Sequence, residues 1–163
     1  MAIEKVKEYF AGVGMSDRVL EFANSSATVE LAAEQVGCEP ARIAKTLSFI
    51  GGTEDGCLLV VAAGDARVDN KHFREEFGLK PRMLPADQVE SLTGHAVGGV
   101  CPFATAEGAS VFLDRSLQRF EVVYPAAGSS NSAVRLTLPE LEQHTGFVRW
   151  VDVCKGWRPE EQE

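Results

Sequence analysis

The sequence Ala41-Arg42-Ile43-Ala44-Lys45-Thr46-Leu47-Ser48-Phe49-Ile50 predicts a strand at the centre of the protein. Successive side chains of a strand point to opposite faces. One face therefore carries Ile43, Lys45, Leu47 and Phe49. Three of these four are apolar and predict a buried strand, in which an unpaired ammonium group is unfavourable. Two interpretations of Lys45 stand: its ammonium group reaches water at the strand's end, or it lies at the mouth of a pocket and binds a substrate anion.

A second apolar run, residues 57–63, follows after a turn at residues 52–56. Its lack of alternation predicts a central strand covered on both faces, and the two runs together predict a β-hairpin. Shorter strands are expected near residues 19–22, 82–84, 110–113, 121–124, 133–136 and 147–151. Helices are expected at residues 3–10, 28–36, 71–77, 86–92 and 137–144, two of them with capping threonines at Thr28 and Thr137.

These elements predict one α/β domain over residues 1–163, with a mixed β-sheet surrounded by helices. The hydrophobic content of 45% in 163 residues is sufficient for one proper core. Residues 159–163 are expected to form a frayed acidic tail.

The charge and cysteine content exclude several classes of function. The net charge of -8 is opposite to that of a broad nucleic-acid surface, so an RNA partner has to be bound by a small patch. Four scattered cysteines and three histidines form no zinc signature. The sequence has no transmembrane run and no signal-peptide core, which predicts a cytoplasmic protein with reduced thiols.

Residues 95–107 form a long loop without periodicity, and such loops are often functional. Its Gly98-Gly99 pair lets the backbone approach a ligand, and free N–H groups there suit a carboxylate, a phosphate or an oxyanion. The alternative is an ordinary turn. Cys101 invites interpretation as a nucleophile, although most cysteines without a nearby base are small buried hydrophobic residues.

A second loop of small residues, 125–131, contains Gly128, Ser129 and Asn131. Its hydroxyl and amide groups suit recognition of a polar ligand, and a solvated turn is the alternative interpretation.

Four motifs occur in an order typical of one family: residues 32–37 (AAEQVG), 42–47 (RIAKTL), 94–103 (GHAVGGVCPF), and Ala127-Gly128 followed by Arg135-Leu136-Thr137. On these motifs the chain resembles the YbaK/EbsC family from about residue 19 to residue 151. That family includes free-standing editing proteins similar to the insertion domain of bacterial prolyl-tRNA synthetases.

The resemblance implies a mixed sheet wrapped by helices and hydrolysis of an amino acid wrongly esterified to tRNA, with no metal and no cofactor. It implies that Lys45 holds the terminal adenosine's phosphate or sugar, and that Gly98 and Gly99 bind the ester carbonyl through backbone N–H groups. Phe22 falls where some members carry a site tyrosine. The other predicted substrate contacts are Thr46, Val100, Cys101, Pro102, Gly128, Ser129 and Asn131.

The resemblance does not include the residues that are typical of members acting on cysteinyl-tRNA. Members that edit cysteinyl-tRNA tend to carry a basic turn and then an acidic residue after the second loop's glycine, whereas this chain has Ser129-Ser130-Asn131 and Ala133.

The first hypothesis is therefore a trans-editing aminoacyl-tRNA deacylase, with tRNA-Pro as the candidate tRNA. Its partners would be the 3′ end of aminoacyl-tRNA and an aminoacyl-tRNA synthetase, with no membrane. The alternative is a non-catalytic module that binds an aminoacyl end, a nucleotide or a partner protein. The sequence carries no signal for an oligomeric state.

Overall fold

The two apolar runs form the centre of the sheet in the computed structural model, which describes residues 2–53 and 56–158. The described residues form five α-helices: α1 (Ala2–Gly12), α2 (Val29–Val36), α3 (Asn70–Phe77), α4 (Ala86–Thr93) and α5 (Leu138–Thr145). They also form ten strands: β1 (Val19–Glu21), β2 (Ile43–Ile50), β3 (Cys57–Ala63), β4 (Arg67–Val68), β5 (Ala109–Asp114), β6 (Val122–Pro125), β7 (Ser132–Val134), β8 (Leu136–Thr137), β9 (Arg149–Val151) and β10 (Cys154–Lys155).

Six strands form one mixed sheet in the order β8-β6-β2-β3-β5-β9. β2 and β3 pair antiparallel from Ala44–Ala63 to Ile50–Cys57, which confirms the predicted hairpin. β3 pairs parallel with β5, and all of its residues except half-buried Leu58 are buried. A strand covered on both faces is continuously apolar because neither of its faces meets water. The predicted single-domain α/β fold with a mixed sheet is confirmed.

The helix ends follow the capping residues of the sequence. The Thr28 hydroxyl accepts the Leu31 N–H at 3.1 Å, and α2 ends at Gly37 with a φ of 83°. Thr137 and Glu140 form a reciprocal capping box at the start of α5. Each cap satisfies backbone groups that the first or last turn leaves without an intrahelical partner.

Three details of the strand prediction are wrong. The first apolar run forms a strand only from Ile43 onward. Before it, Pro40–Arg42 form a 3-10 turn, because the fixed φ of proline suits a helical turn. Residues 82–84 form a single bridge, Phe49 to Met83, since the prolines on both sides lack the N–H that a ladder needs. Residues 133–136 are divided between β7, which pairs with β1, and β8, which pairs with β6. The predicted acidic tail lies outside the described residues.

One edge of β2 is left open, and this gap positions the site. β6 pairs with β2 only at Ile43 and Ala44. Further along, the Leu84 N–H donates to the Ser48 carbonyl oxygen at 3.1 Å. Between Ala44 and Ser48 no described strand lies beside the outer edge of β2, and a cavity occupies this place.

Candidate active site

The cavity at the open edge of β2 has a volume of about 440 Å³. Its walls come from six parts of the chain: residues 26–29 and 32, strand residues 43–48, residues 83, 84, 86 and 89, loop residues 97, 98 and 100, residues 124 and 126, and residues 132 and 133. Most of these side chains are apolar. A cavity of this size, with few polar groups, is typical of a small-molecule site.

Lys45 carries the only charged side chain among the residues that line this cavity. Its Nζ donates to the carbonyl oxygen of Gly64 at 3.4 Å, and the residue is half-buried. Burial lowers the pKa of Lys45, and the negative charge of Asp65 offsets part of this effect. An ammonium group with reduced hydration is stabilised by an anion that comes within reach, because the anion compensates for the lost hydration.

Gly98 lines the same cavity and is exposed, with a φ of 92°. Gly99 is buried against the second loop, where an added Cβ would lie 2.8 Å from the backbone nitrogen of Ser129. The Gly99 N–H was predicted to be a free donor. It instead donates to the Ala96 carbonyl oxygen at 3.0 Å. In the described parts of the chain, the N–H groups of Gly98 and Val100 have no acceptor. Val100 also lines the cavity.

Cys101 and Pro102 are buried beneath this loop and do not line the cavity, contrary to their prediction as substrate contacts. The Cys101 sulfur lies 3.4 Å from Nε2 of buried His95. Burial raises the pKa of the Cys101 thiol to about 12. A thiol that is fully buried and protonated is not a nucleophile at neutral pH. Its burial and its raised pKa favour the alternative interpretation, a small buried hydrophobic residue, over a nucleophile.

The second loop was predicted to bind substrate through three residues that do not line the cavity, Gly128, Ser129 and Asn131. Gly128 has a φ of 94°, and a Cβ there would lie 3.1 Å from backbone atoms of Ala2 and Ile3. The Asn131 Nδ2 donates to the Phe22 carbonyl oxygen at 3.0 Å. Phe22 itself is half-buried and does not line the cavity. These residues join two segments distant in sequence.

Thr46 lines the cavity, and its Oγ1 is buried without a hydrogen-bond partner in the described chain. Its predicted contact with a substrate stays a prediction. Sequence reasoning missed five further polar residues of the lining: Ser26, Thr28, Ser48, Tyr124 and Ser132. Thr28 had already been interpreted as a helix cap and Tyr124 as a strand residue. Such residues have no local signal for a site, because their segments meet only through tertiary contacts.

The described residues, 2–53 and 56–158, contain no group of three histidine, cysteine, aspartate or glutamate side chains placed to hold a metal ion. That the activity needs no metal stays a prediction. Within the same residues, every helix is too short or too polar to cross a membrane.

The fold and the cavity together define the class of aminoacyl-tRNA editing proteins. The chain belongs to the aminoacyl-tRNA editing domain family, whose sequence model matches residues 23–143. The family resemblance of the sequence motifs is thereby confirmed.

Two relatives and one solved structure show the extent of the similarity. The chain is 50% identical over 157 residues to the uncharacterized protein YwhH of Bacillus subtilis (strain 168), covering 96% of this chain and 99% of YwhH. It is 29% identical over 110 residues to EbsC of Enterococcus faecalis, provisionally named a Cys-tRNA(Pro)/Cys-tRNA(Cys) deacylase, covering 67% of this chain and 66% of EbsC. A crystal structure described provisionally as a trans-editing enzyme for prolyl-tRNA synthetase has a TM-score of 0.82 and 30% identity, covering 95% of this chain and 98% of that one.

Proposed function

We propose that this protein is a free-standing deacylase that hydrolyses the ester bond of a mischarged aminoacyl-tRNA, with tRNA-Pro as the candidate tRNA. The observation that carries this proposal is that Lys45 and Gly98 line one cavity of about 440 Å³. The family match over residues 23–143 and the similarity to a structure described as an editing enzyme for prolyl-tRNA synthetase support it.

The cavity can bind both ends of the reacting ester. The Lys45 ammonium group binds the phosphate or the sugar of the terminal adenosine, because a compact cation suits a phosphate and nothing else charged lines the cavity. The N–H groups of Gly98 and Val100 are the available donors for the ester carbonyl oxygen, which becomes negative when water attacks.

Among the residues that the structure describes, no carboxylate or imidazole group lines the cavity, so the proposed reaction uses neither as a base. Water attacks the ester carbonyl carbon, the bond to the ribose oxygen breaks, and that oxygen takes a proton as the amino acid leaves. The neighbouring ribose hydroxyl of the substrate assists the attack. An aminoacyl ester is already activated, so positioning and oxyanion stabilisation supply the catalysis.

The proposed partners follow from the substrate. The protein binds the 3′ end of aminoacyl-tRNA and works beside an aminoacyl-tRNA synthetase in the cytoplasm, where the tRNA is charged. Its net charge of -8 is consistent with contact limited to the tip of the tRNA.

The test is a deacylation screen of the purified protein against a panel of correctly charged and mischarged tRNAs, with Lys45→Met and the exposed-lysine control Lys80→Met assayed in parallel. The proposal expects turnover of at least one mischarged tRNA, lost in Lys45→Met and kept in Lys80→Met.

A cavity without a carboxylate or imidazole group from the described residues also fits a second candidate, a non-catalytic module that binds an aminoacyl end, a nucleotide or a partner protein. Saturable binding of aminoacyl-tRNA without hydrolysis across the whole panel would establish this candidate in place of the enzyme.

A further inference from the structure

A second, open cleft adjoins the cavity at the carboxyl end of α2. Arg42 and Arg135 line this cleft, Glu39 is its one carboxylate, and Tyr124 belongs to its wall. Tyr124 also lines the cavity that contains Lys45. The cleft and the cavity therefore share one lining residue, Tyr124.

The two arginines of the cleft are not used in ion pairs. Within the described residues, neither Arg42 nor Arg135 has a carboxylate partner, whereas Arg18 pairs with Glu140 at 2.6 Å. The Arg42 guanidinium lies over the ring of Phe120, 4.9 Å from its centre, which fixes its position. In a chain with a net charge of -8, two arginines without carboxylate partners in one cleft form a local positive surface.

The register of the sheet connects this surface to the cavity. Tyr124 of β6 pairs with Ile43 of β2, two residues before Lys45. Tyr124 is half-buried and packs against Ala33 and the other residues of a small apolar cluster. A single-stranded nucleic acid bound in the cleft would therefore pass the ring of Tyr124 before its end reached Lys45.

We propose that this cleft binds the single-stranded 3′ end of tRNA, with Arg42 and Arg135 contacting the phosphates that precede the terminal adenosine and Tyr124 stacking on a base. This inference rests on the proposed function and adds the route by which the substrate approaches. Arginine suits phosphate because its planar donors bind two oxygens at once. Alternating cations and aromatic rings are typical of single-strand binding surfaces.

The test compares a substrate that would extend into the cleft with one that is too short to do so. Arg42→Gln, Arg135→Gln and the double variant are assayed on a mischarged full-length tRNA and on a 3′-aminoacyl-adenosine, which lacks the preceding phosphates. Each single substitution should lower kcat/KM for the tRNA by about tenfold, the loss of one charged hydrogen-bonding contact. The short ester does not extend into the cleft, so its kcat/KM should change by less than about twofold.

The matched control is Arg74→Gln, an exposed arginine of α3 that lines neither the cleft nor the cavity. Binding of the tRNA should also depend less on salt, with the slope of log K against log salt reduced by about 0.7 for each arginine removed. Unchanged turnover of the tRNA, or equal losses on both substrates, would overturn the proposed route.

The route can also be tested apart from catalysis, by fluorescence anisotropy with a labelled CCA trinucleotide. If the wild-type protein hydrolyses neither ester, the proposed function fails, and binding of the trinucleotide that weakens in the double variant still supports the cleft. Equal trinucleotide binding by the wild type and the double variant would overturn the cleft as well.

Discussion

The Nζ of Lys45 donates to the carbonyl oxygen of Gly64 at 3.4 Å, across the turn that follows β3. Lys45 faces Ala62 in the β2–β3 pair, so its acceptor lies two residues beyond its pairing partner. The next residue, Asp65, accepts from Nη1 of Arg119 at 3.0 Å. An anchored turn thus orients the lysine before any ligand enters the cavity.

Replacing Lys45 separates stability from activity. Burial lowers the pKa of Lys45 from 10.5, so the folded state binds this proton less tightly than the unfolded state. The charge therefore weakens folding at neutral pH, and this penalty is relieved as the pH rises through the lowered pKa toward 10.5. Lys45→Met should be at least as stable as the wild type near neutral pH, with an advantage that shrinks at alkaline pH.

Deacylation by Lys45→Met should fall about a hundredfold, the loss of a charged hydrogen bond to the substrate. Thermal denaturation at several pH values and single-turnover assays measure the two effects. A variant that turns over substrate normally would remove Lys45 from the mechanism.

Gly64→Ala should disturb the acceptor of Lys45. A Cβ at Gly64 would lie 2.0 Å from the Pro40 carbonyl oxygen and 2.7 Å from Cγ1 of Val29, so the backbone has to move. We expect a stability loss of roughly 1–3 kcal/mol, measured by urea denaturation, together with reduced deacylation. Gly12→Ala is the control, since nothing lies within 4 Å of its added Cβ. Unchanged stability and activity in Gly64→Ala would contradict this account.

Gly98→Ala tests whether the loop backbone has to keep its left-handed conformation to position the Gly98 amide, and Gly14→Ala controls for the cost of strain itself. Gly98 has a φ of 92° and Gly14 has a φ of 75°, so an alanine at either position is strained, at a cost of about 1–2 kcal/mol. Gly14 is exposed and lies outside the cavity lining. Both variants should lose similar stability in urea denaturation, and only Gly98→Ala should lose about tenfold or more in deacylation. Similar activity in the two variants would show that deacylation does not depend on the backbone conformation at Gly98.

The thiol of Cys101 should be unreactive in the native protein. Its thiol is fully buried, with its pKa raised to about 12, so iodoacetamide should label Cys101 only after unfolding. Cys101→Ala should keep deacylation within about threefold and lose about 1–2 kcal/mol of stability from the space left behind. Peptide mapping by mass spectrometry measures the labelling, with half-buried Cys38 as the internal comparison. If labelling of Cys101 in the folded protein abolished deacylation, Cys101 would again be a candidate nucleophile.

The predictable parts of this protein are those that local patterns specify. The β2–β3 hairpin follows from two apolar runs, and the helix ends follow from Thr28, Gly37 and the Thr137 capping box. Each depends on residues a few positions apart, so the printed sequence already contains the cause.

The site itself was only partly predictable. Lys45, Thr46, Gly98 and Val100 were predicted from motifs, and all four line the cavity. No motif indicated that the Gly99 N–H donates to the Ala96 carbonyl oxygen, and burial of Cys101 was one of two interpretations that the sequence left open. Such details depend on the direction of single groups, which sequence spacing does not specify.

By itself the sequence determined the α/β class, the central hairpin and the family, because apolar periodicity, capping residues and motif order act over short distances. Only the tertiary structure decided that β6 leaves the edge of β2 after Ala44, and that the resulting gap meets loops from residues 26–28, 97–100 and 132–133. These segments lie far apart in the chain, and their convergence depends on how strands pair and loops pack. For this reason the sequence-based prediction placed Lys45 at a pocket but did not identify most of the cavity's walls or the arginine cleft beside it.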